Sequence, residues 1–297
     1  MTRITGTTKL LGVIGYPVEH SLSPRMHNAA IAEMGVDYVY LPFPIAPHNL
    51  QVAIDGFAAI GVVGFSVTIP HKQAIIPLIS EVSSLAQAVG AVNTVVRKDD
   101  KWIGTNTDVE GFIAPLLSIC NQDWSQTTAV ILGNGGAARA VIAGCAQLGC
   151  AQIHVIGRNL NKLVAFHESW SNSALFSHLH VHHWDKLPKY IPQANLLVNT
   201  TPIGMYPHIN EAPLTSEEVK ELPSGAIAYD LTYNPNPTKF LKLAQQSQAV
   251  TINGLEMLVQ QGAAALKIWL ERDIVPVDIM RQALIEHLEL GVKTHNF

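Results

Sequence analysis

Apolar, β-branched runs alternate with segments of helical periodicity along most of the chain. Residues 10–17 ("LLGVIGYP") predict a strand that ends in a turn. Residues 23–35 predict a helix with Ser23 as N-cap, Pro24 at the first helical position and Gly35 as the stop. A strand follows at 38–45, a helix at 48–61 and a strand at 64–70. Residues 93–108 read as two strands joined by a polar turn, and a helix is expected from 109 to 118. A second series starts near 127. Residues 128–159 give strand, glycine-rich turn, helix and strand, with further strands at 194–200 and 225–231. A long helix follows Gly254 to about 271, and Pro276 opens a last amphipathic helix. Such alternation predicts an α/β fold built on mostly parallel sheets.

Composition narrows this picture. A chain of 297 residues exceeds one ordinary core and suits two domains. Apolar residues make up 48% and charged residues 14%, so there is ample material to bury. A net charge of −4 excludes a general nucleic-acid or membrane-surface binder. Cys120, Cys145 and Cys150 are odd in number and lack CxxC spacing, which fits free thiols in a reducing compartment. There is no signal-peptide-like stretch at the start and no apolar run of about 18 residues. A cytoplasmic protein is expected.

The stretch "GNGGAA", Gly133, Asn134, Gly135, Gly136, Ala137 and Ala138, matches G-x-G-x-x-A directly after a buried strand. Gly133 permits the tight turn, Gly135 lets the backbone approach a pyrophosphate, and Ala138 lets helix and strand pack closely. The helix N-terminus offers free N–H groups to phosphates. NAD sites usually carry a carboxylate at the end of the second strand; here the chain has Arg158 and, one helical turn on, Lys162. Two cations suit a 2′-phosphate, so NADP is favoured over NAD.

A second constellation lies in the first half. "SVTIPHK" (66–72) puts Lys72 just beyond a strand end, where open sheets place their ligands. Ser21, Ser23, Asn93, Asn106 and Asp108 fall at comparable ends. Hydroxyls, amides, one lysine and one aspartate suit a small polyhydroxylated acid. The histidines of "SHLHVHHW" are read with His178, His180 and His182 on one strand face and His183 on the other. They are taken as a polar edge and not as a metal site. His20, His27 and His71 are read as supporting hydrogen-bond partners, and Cys145 as core.

Eight motifs in order, "GYPVEHSLSPRMHN", "SVTIPHK", "GAVNT", "GTNTD", "GNGGAARA", "NTTPIGM", "YDLTYNPNPT" and "NGLEMLVQQGA", make the chain resemble the shikimate dehydrogenase family over nearly its whole length. The resemblance implies a shikimate-binding domain from 1–110 plus 255–297. It also implies a Rossmann-type, doubly wound NADP-binding domain at 120–254, with a cleft between the two. It assigns Ser21 and Ser23 to the substrate carboxylate, and Thr68, Asn93 and Gln261 to the ring hydroxyls. Tyr233 becomes a further substrate contact, and Lys72 and Asp108 the catalytic pair. The loop Gly133–Ala137 takes the pyrophosphate, and Arg158, Asn159 and Lys162 form the region of the 2′-phosphate. Leu231 and Gly254 line the nicotinamide site.

The implied reaction is NADPH-dependent, reversible reduction of 3-dehydroshikimate to shikimate in aromatic amino acid biosynthesis. The expected partner is that small acid, without nucleic acid, membrane or metal, in a monomer or homodimer. Two departures stand out. Ser66 replaces the family's usual Asn, so a supporting hydrogen bond is expected to be missing or filled by water. Gly157 replaces an Asn that often precedes the Arg, which is expected to weaken an adenine-ribose contact. The rival readings are a quinate/shikimate dehydrogenase using NAD, and a non-catalytic sensor of shikimate-pathway acids.

Overall fold

A computed structural model describes residues 4–119, 122–171 and 176–294; Cys120 lies outside them. The chain forms two compact units, Met1–Gly111 with Leu258–Phe297, and Phe112–Met257.

The first unit runs β1 (Lys9–Gly15), α1 (Ser23–Met34), β2 (Tyr38–Pro44), α2 (Leu50–Ala59), β3 (Val62–Val67), α3 (His71–Ala74), β4 (Glu81–Val82), α4 (Ser84–Val89), β5 (Thr94–Lys98), β6 (Lys101–Thr105) and the start of α5 (Asp108–Ile119). Its sheet order is β2-β1-β3-β5-β6-β4. All pairs are parallel except those of β5, which runs against β3 and β6. The β5–β6 hairpin turns on Asp99 and Asp100, both at positive φ (47° and 61°), the backbone of a tight two-residue hairpin. That pairing makes the C-terminal ends of β1, β3 and β6 and the start of β5 share one sheet edge. The core gathers Phe57, Phe65 and Trp102 in edge-to-face contacts with Val62, Val67 and Val95.

The second unit runs β7 (Thr128–Leu132), α6 (Gly136–Leu148), β8 (Gln152–Gly157), α7 (Leu160–Glu168), β9 (Leu179–His183), α8 (Leu187–Tyr190), β10 (Leu196–Asn199), α9 (Ser216–Lys220), β11 (Ile227–Asp230), α10 (Lys239–Gln246) and β12 (Val250–Ile252). Its six strands, ordered β12-β11-β10-β7-β8-β9, are all parallel. The two-residue period of a strand decides which face each side chain meets. Ala129, Ile131, Leu196, Val198, Ile227 and Tyr229 join the core under α6 and α7. Val130, Leu132, Leu197 and Ala228 join the core under α8, α9 and α10. Both faces are therefore covered, which explains why these strands read as unbroken apolar runs. Burying each Val, Leu or Ile fully contributes about 1.5–3 kcal/mol, so truncating Leu197 to Ala should cost about 2–5 kcal/mol.

The long helices α11 (Leu255–Leu270) and α12 (Val277–Thr294) close the chain, and α12 packs on α1. Three local expectations need correction. Ser23 does not cap α1: Leu22 holds the cap position without a side-chain bond, and Ser23 is the first helical residue. The Ser23 side chain faces the Tyr40 phenol as a hydrogen-bond partner. The Gly35 stop is present as a left-handed C-cap at φ 61°. The helix expected from 48 starts as a 3₁₀ turn, Pro47–Asn49, before α2. His178 lies in the 3₁₀ turn Phe176–His178, ahead of β9, and not on the strand face with His180 and His182.

Candidate active site

In the first unit, β3 ends at Val67 and a short turn launches α3, so Lys72 stands one turn beyond the strand. Its carbonyl accepts the Val92 N–H (2.8 Å), which fixes the backbone beneath it. Asp108 opens α5 after β6. Lys72 Nζ donates to Asp108 Oδ2 at 2.5 Å, with side chains only 16% and 8% exposed. In a pair so shielded from water the attraction is offset by the cost of desolvating both charges, and each partner is costly without the other.

Asp108 is held from several sides. Asn106 folds back to accept the Asp108 N–H (3.0 Å) and donates to the Ala91 carbonyl (2.9 Å). Asn93 Oδ1 accepts from the Thr107 N–H (2.7 Å) and the Thr94 hydroxyl (2.9 Å), which fixes the orientation of its amide. Asn93 Nδ2 then donates to Asp108 Oδ1 (2.8 Å). A longer 3.4 Å contact runs from Asn93 Nδ2 to Gln261 Oε1, and Gln261 itself donates to the Leu258 carbonyl (2.8 Å). The structure thus brings Lys72, Asn93, Asn106, Asp108 and Gln261 into one bonded cluster. Ser21 accepts the Ser23 N–H (3.3 Å) at the entry to α1. Thr68, directly after β3, is paired through its N–H to Ile14 (2.9 Å).

Around that cluster the sequence reading missed a supporting layer. Ser66 has a partner of its own: the Tyr40 phenol donates to its hydroxyl at 2.8 Å. Asn28 grips the Tyr40 backbone from both sides, accepting its N–H (2.9 Å) and donating to its carbonyl (2.8 Å). His71 does act as a hydrogen-bond partner, to the Ile45 carbonyl at 2.7 Å. His27 does not. It is wholly buried, stacked on Tyr40 at 4.2 Å, with neither ring nitrogen bonded. Burial drives it down to about 3, so it packs as a neutral aromatic ring.

In the second unit, the ends of β11, β10, β7 and β8 share one edge because all four are parallel. Gly133 adopts φ +105°, in the left-handed region, and a Cβ there would stand 2.6 Å from Thr200 Oγ1. Gly135 sits at the α6 N-cap with nothing within 4 Å of a would-be Cβ, so its backbone is open to a ligand. Arg158 and Lys162 follow β8, are exposed, and have no carboxylate partner among the described residues. Asn159 caps α7, accepting the Lys162 N–H (3.0 Å). A Cβ at Gly157 would meet Leu163 at 2.8 Å and Asn134 Oδ1 at 3.3 Å. The glycine therefore makes room for its own neighbours. An open phosphate turn beside two uncommitted cations fits a dinucleotide carrying a 2′-phosphate.

Leu231 follows β11, and a Cβ at Gly254 would run into the Leu231 carbonyl, so these two residues meet backbone to backbone. Tyr233 lies two residues further on, half-buried. The loops are tied by a pair that sequence reasoning did not single out, Asn199 and Asp230, both 0% exposed. Asn199 donates to Asp230 (3.0 Å) and to the Ile203 carbonyl (3.1 Å), and accepts from Thr201. Asp230 also accepts from Thr232 N–H (3.0 Å) and the Thr238 hydroxyl (2.7 Å). Burial raises its carboxyl above the usual range, against the pull of these donors. The signal was available: both residues are polar and close apolar strands.

The histidines form a different group from the one expected. His154 on β8 Nδ1 meets His182 Nε2 at 3.1 Å, with His180 stacked beside it at 5.2 Å and Tyr190 at 4.5 Å. His183 turns away to Asp185 (3.0 Å) and the Arg158 carbonyl (3.1 Å). Among the described residues, no group of three His, Cys, Asp or Glu side chains is placed to hold a metal ion.

An all-parallel, doubly covered sheet with an open glycine turn is a Rossmann-type nucleotide unit. Joined to an α/β unit that buries a lysine–aspartate pair, it defines the class of two-unit α/β oxidoreductases. The comparisons with known proteins carry this further. The family model described as the shikimate dehydrogenase substrate binding domain matches residues 13–95, and that of the shikimate 5'-dehydrogenase C-terminal domain matches 254–285. A shikimate dehydrogenase (NADP(+)) of Nostoc sp. is 70% identical, covering 97% of this chain and 99% of its own. The crystal structure of a shikimate dehydrogenase in complex with NADP+ superposes with a TM-score of 0.88 at 39% identity, covering 97% of this chain and 98% of its own. That of the Thermus thermophilus enzyme, in complex with NADP(H) and shikimate, gives 0.81 at 31% identity, covering 93% and 98%. The chain belongs to the shikimate dehydrogenase family. Among the described residues, no helix is long and apolar enough to cross a membrane.

Proposed function

We propose that this chain catalyses the reversible, NADPH-dependent reduction of 3-dehydroshikimate to shikimate, with Lys72 and Asp108 as its catalytic pair. The observation that carries the reading is the shielded Lys72–Asp108 contact at 2.5 Å, braced by Asn93. Bound NADPH supplies the hydride. As negative charge grows on the ketone oxygen, the Lys72 ammonium stabilises it and then gives it a proton. Asp108 aims the ammonium and accepts a neighbouring ring hydroxyl. Fixed by Asn106 and Asn93 before any substrate arrives, Asp108 needs little reorganisation during the reaction. Ser21 and Ser23 take the substrate carboxylate, and Thr68, Asn93, Gln261 and Tyr233 the ring hydroxyls. The 3.4 Å Asn93–Gln261 contact is the weakest bond of the cluster and the one a ring hydroxyl replaces.

Gly133–Ala137 hold the pyrophosphate, Arg158 and Lys162 the 2′-phosphate, and Leu231 with Gly254 the nicotinamide. Asn159 acts here by capping α7 and thereby placing Lys162. The enzyme works in the cytoplasm as a monomer or homodimer. Initial rates with NADP+ and NAD+ against shikimate and quinate test the reading. Turnover of shikimate with NADP+ well above the other three pairings is expected; faster turnover with NAD+, or of quinate, overturns it.

A further inference from the structure

Tyr40 has no place in the mechanism above, yet the site is built around it. It sits on β2 and is 0% exposed. Its phenol donates to Ser66 Oγ at 2.8 Å and is also hydrogen-bonded to the Ser23 side chain. Ser23 and Ser66 are themselves only 7% and 8% exposed. Asn28 clamps the Tyr40 backbone to α1. The ring lies flat on His27, at 4.2 Å and 19° between planes, and Trp269 packs at 5.7 Å. One residue thereby ties the start of α1 to the end of β3.

Three hydroxyls in a row can be bonded in either direction. Each has one proton and can accept as well as donate. With no ligand, Ser23 donates to Tyr40 and Tyr40 to Ser66. When Ser23 turns its proton to a carboxylate, the row reverses: Ser66 donates to Tyr40 and Tyr40 to Ser23. No buried oxygen is left unpaired in either state, and a chain of aligned hydroxyls strengthens its terminal bond. Burial pushes the Tyr40 phenol up, so it keeps the proton this requires.

We propose that Tyr40 is a positioning residue for the acid group of the substrate, reversing a Ser23–Tyr40–Ser66 hydroxyl chain so that Ser23 can donate to a carboxylate. The proposal rests on the reading of Ser23 as a carboxylate contact. Its test compares wild type, Tyr40→Phe, Ser66→Ala and Ser23→Ala on shikimate and on shikimate methyl ester, which lacks the anionic group. Tyr40→Phe should raise KM for shikimate roughly five-fold, with kcat within about two-fold. KM for NADP+ and the rate on the ester should stay at wild-type levels. Ser66→Ala should show the same pattern with a smaller rise, and it carries the test if Tyr40→Phe does not fold. An equal loss on acid and ester, a matching rise in KM for NADP+, or unchanged kinetics overturns the role. If Ser23→Ala raises KM for shikimate and Tyr40→Phe does not, the hydroxyl chain alone fails. If Ser23→Ala changes nothing, the carboxylate reading fails and takes the role of Tyr40 with it.

Discussion

The two units solve the same problem with different materials. In the first, the candidate site is made of side chains that are buried and already bonded to each other: Lys72 to Asp108, Asp108 to Asn93, Asn93 to Thr107 and Thr94. In the second, it is made of backbone and open charge: a left-handed Gly133, an uncovered Gly135, and exposed Arg158 and Lys162. The sheets match the difference. The second sheet is all parallel, and the polar side chains that close β10 and β11, Asn199 and Asp230, are bonded to each other, so the glycine turn after β7 offers main-chain groups. The first admits an antiparallel β5, which delivers Asn93 to the same edge as Lys72 and Asp108. A bonded polar cluster is hard to alter without loss, whereas surface cations can be changed almost independently of folding.

That contrast can be broken by substitution. The largest effect is expected in the first unit. Asp108→Ala strips Lys72 of its partner and should lower kcat about 100-fold in steady-state assays. Asp230→Ala tests a buried polar hub of the second unit, the Asn199–Asp230 pair. It leaves the donors of Asn199, Thr232 and Thr238 unpaired and should cost about 2–3 kcal/mol in urea unfolding. Arg158→Ala should raise KM for NADP+ about ten-fold and leave both KM for NAD+ and the unfolding midpoint unchanged. A large loss of stability there would erase the proposed distinction.

The last substitution concerns His27, whose effect vanishes at neutral pH and grows only on acidification. Its folded value, about 3, lies below the ordinary 6.5, so the unfolded chain takes up its proton first. Stability that is fully present above pH 6.5 is therefore lost as pH falls toward the folded value. His154, held at about 4 by burial and by His182, behaves alike. His27→Phe should remove one proton from this dependence, flattening the slope of unfolding free energy by about 1.4 kcal/mol per pH unit below pH 6. An unchanged slope would show that His27 takes up no extra proton on unfolding.

Much of this was legible in the sequence, for identifiable reasons. The strand–turn–helix of 128–148 and the stop at Gly35 are local, and the φ that Gly35 needs is written in its identity. The Lys72–Asp108 pair was reached through motifs and not through periodicity. Contacts across sequence were not legible. Tyr40 and Ser66 are 26 positions apart, and nothing in either neighbourhood announces the other. His154 sits between Ile153 and Val155 in a mostly apolar strand, and only the β8–β9 register sets it opposite His180. The cap of α1 was placed one residue late: Ser23 is the right type, but the helix already includes it and Leu22 holds the cap position. Short pieces such as β4 and β12 carry too few residues to show a period.

The central claim is that Lys72 handles charge and proton at the reacting oxygen while other groups hold the substrate. Lys72→Ala should be measured for turnover and, by calorimetry on the same preparation, for shikimate affinity. A fall in kcat of roughly 100-fold or more is expected, with affinity changed only a few-fold. Turnover near that of wild type would contradict it.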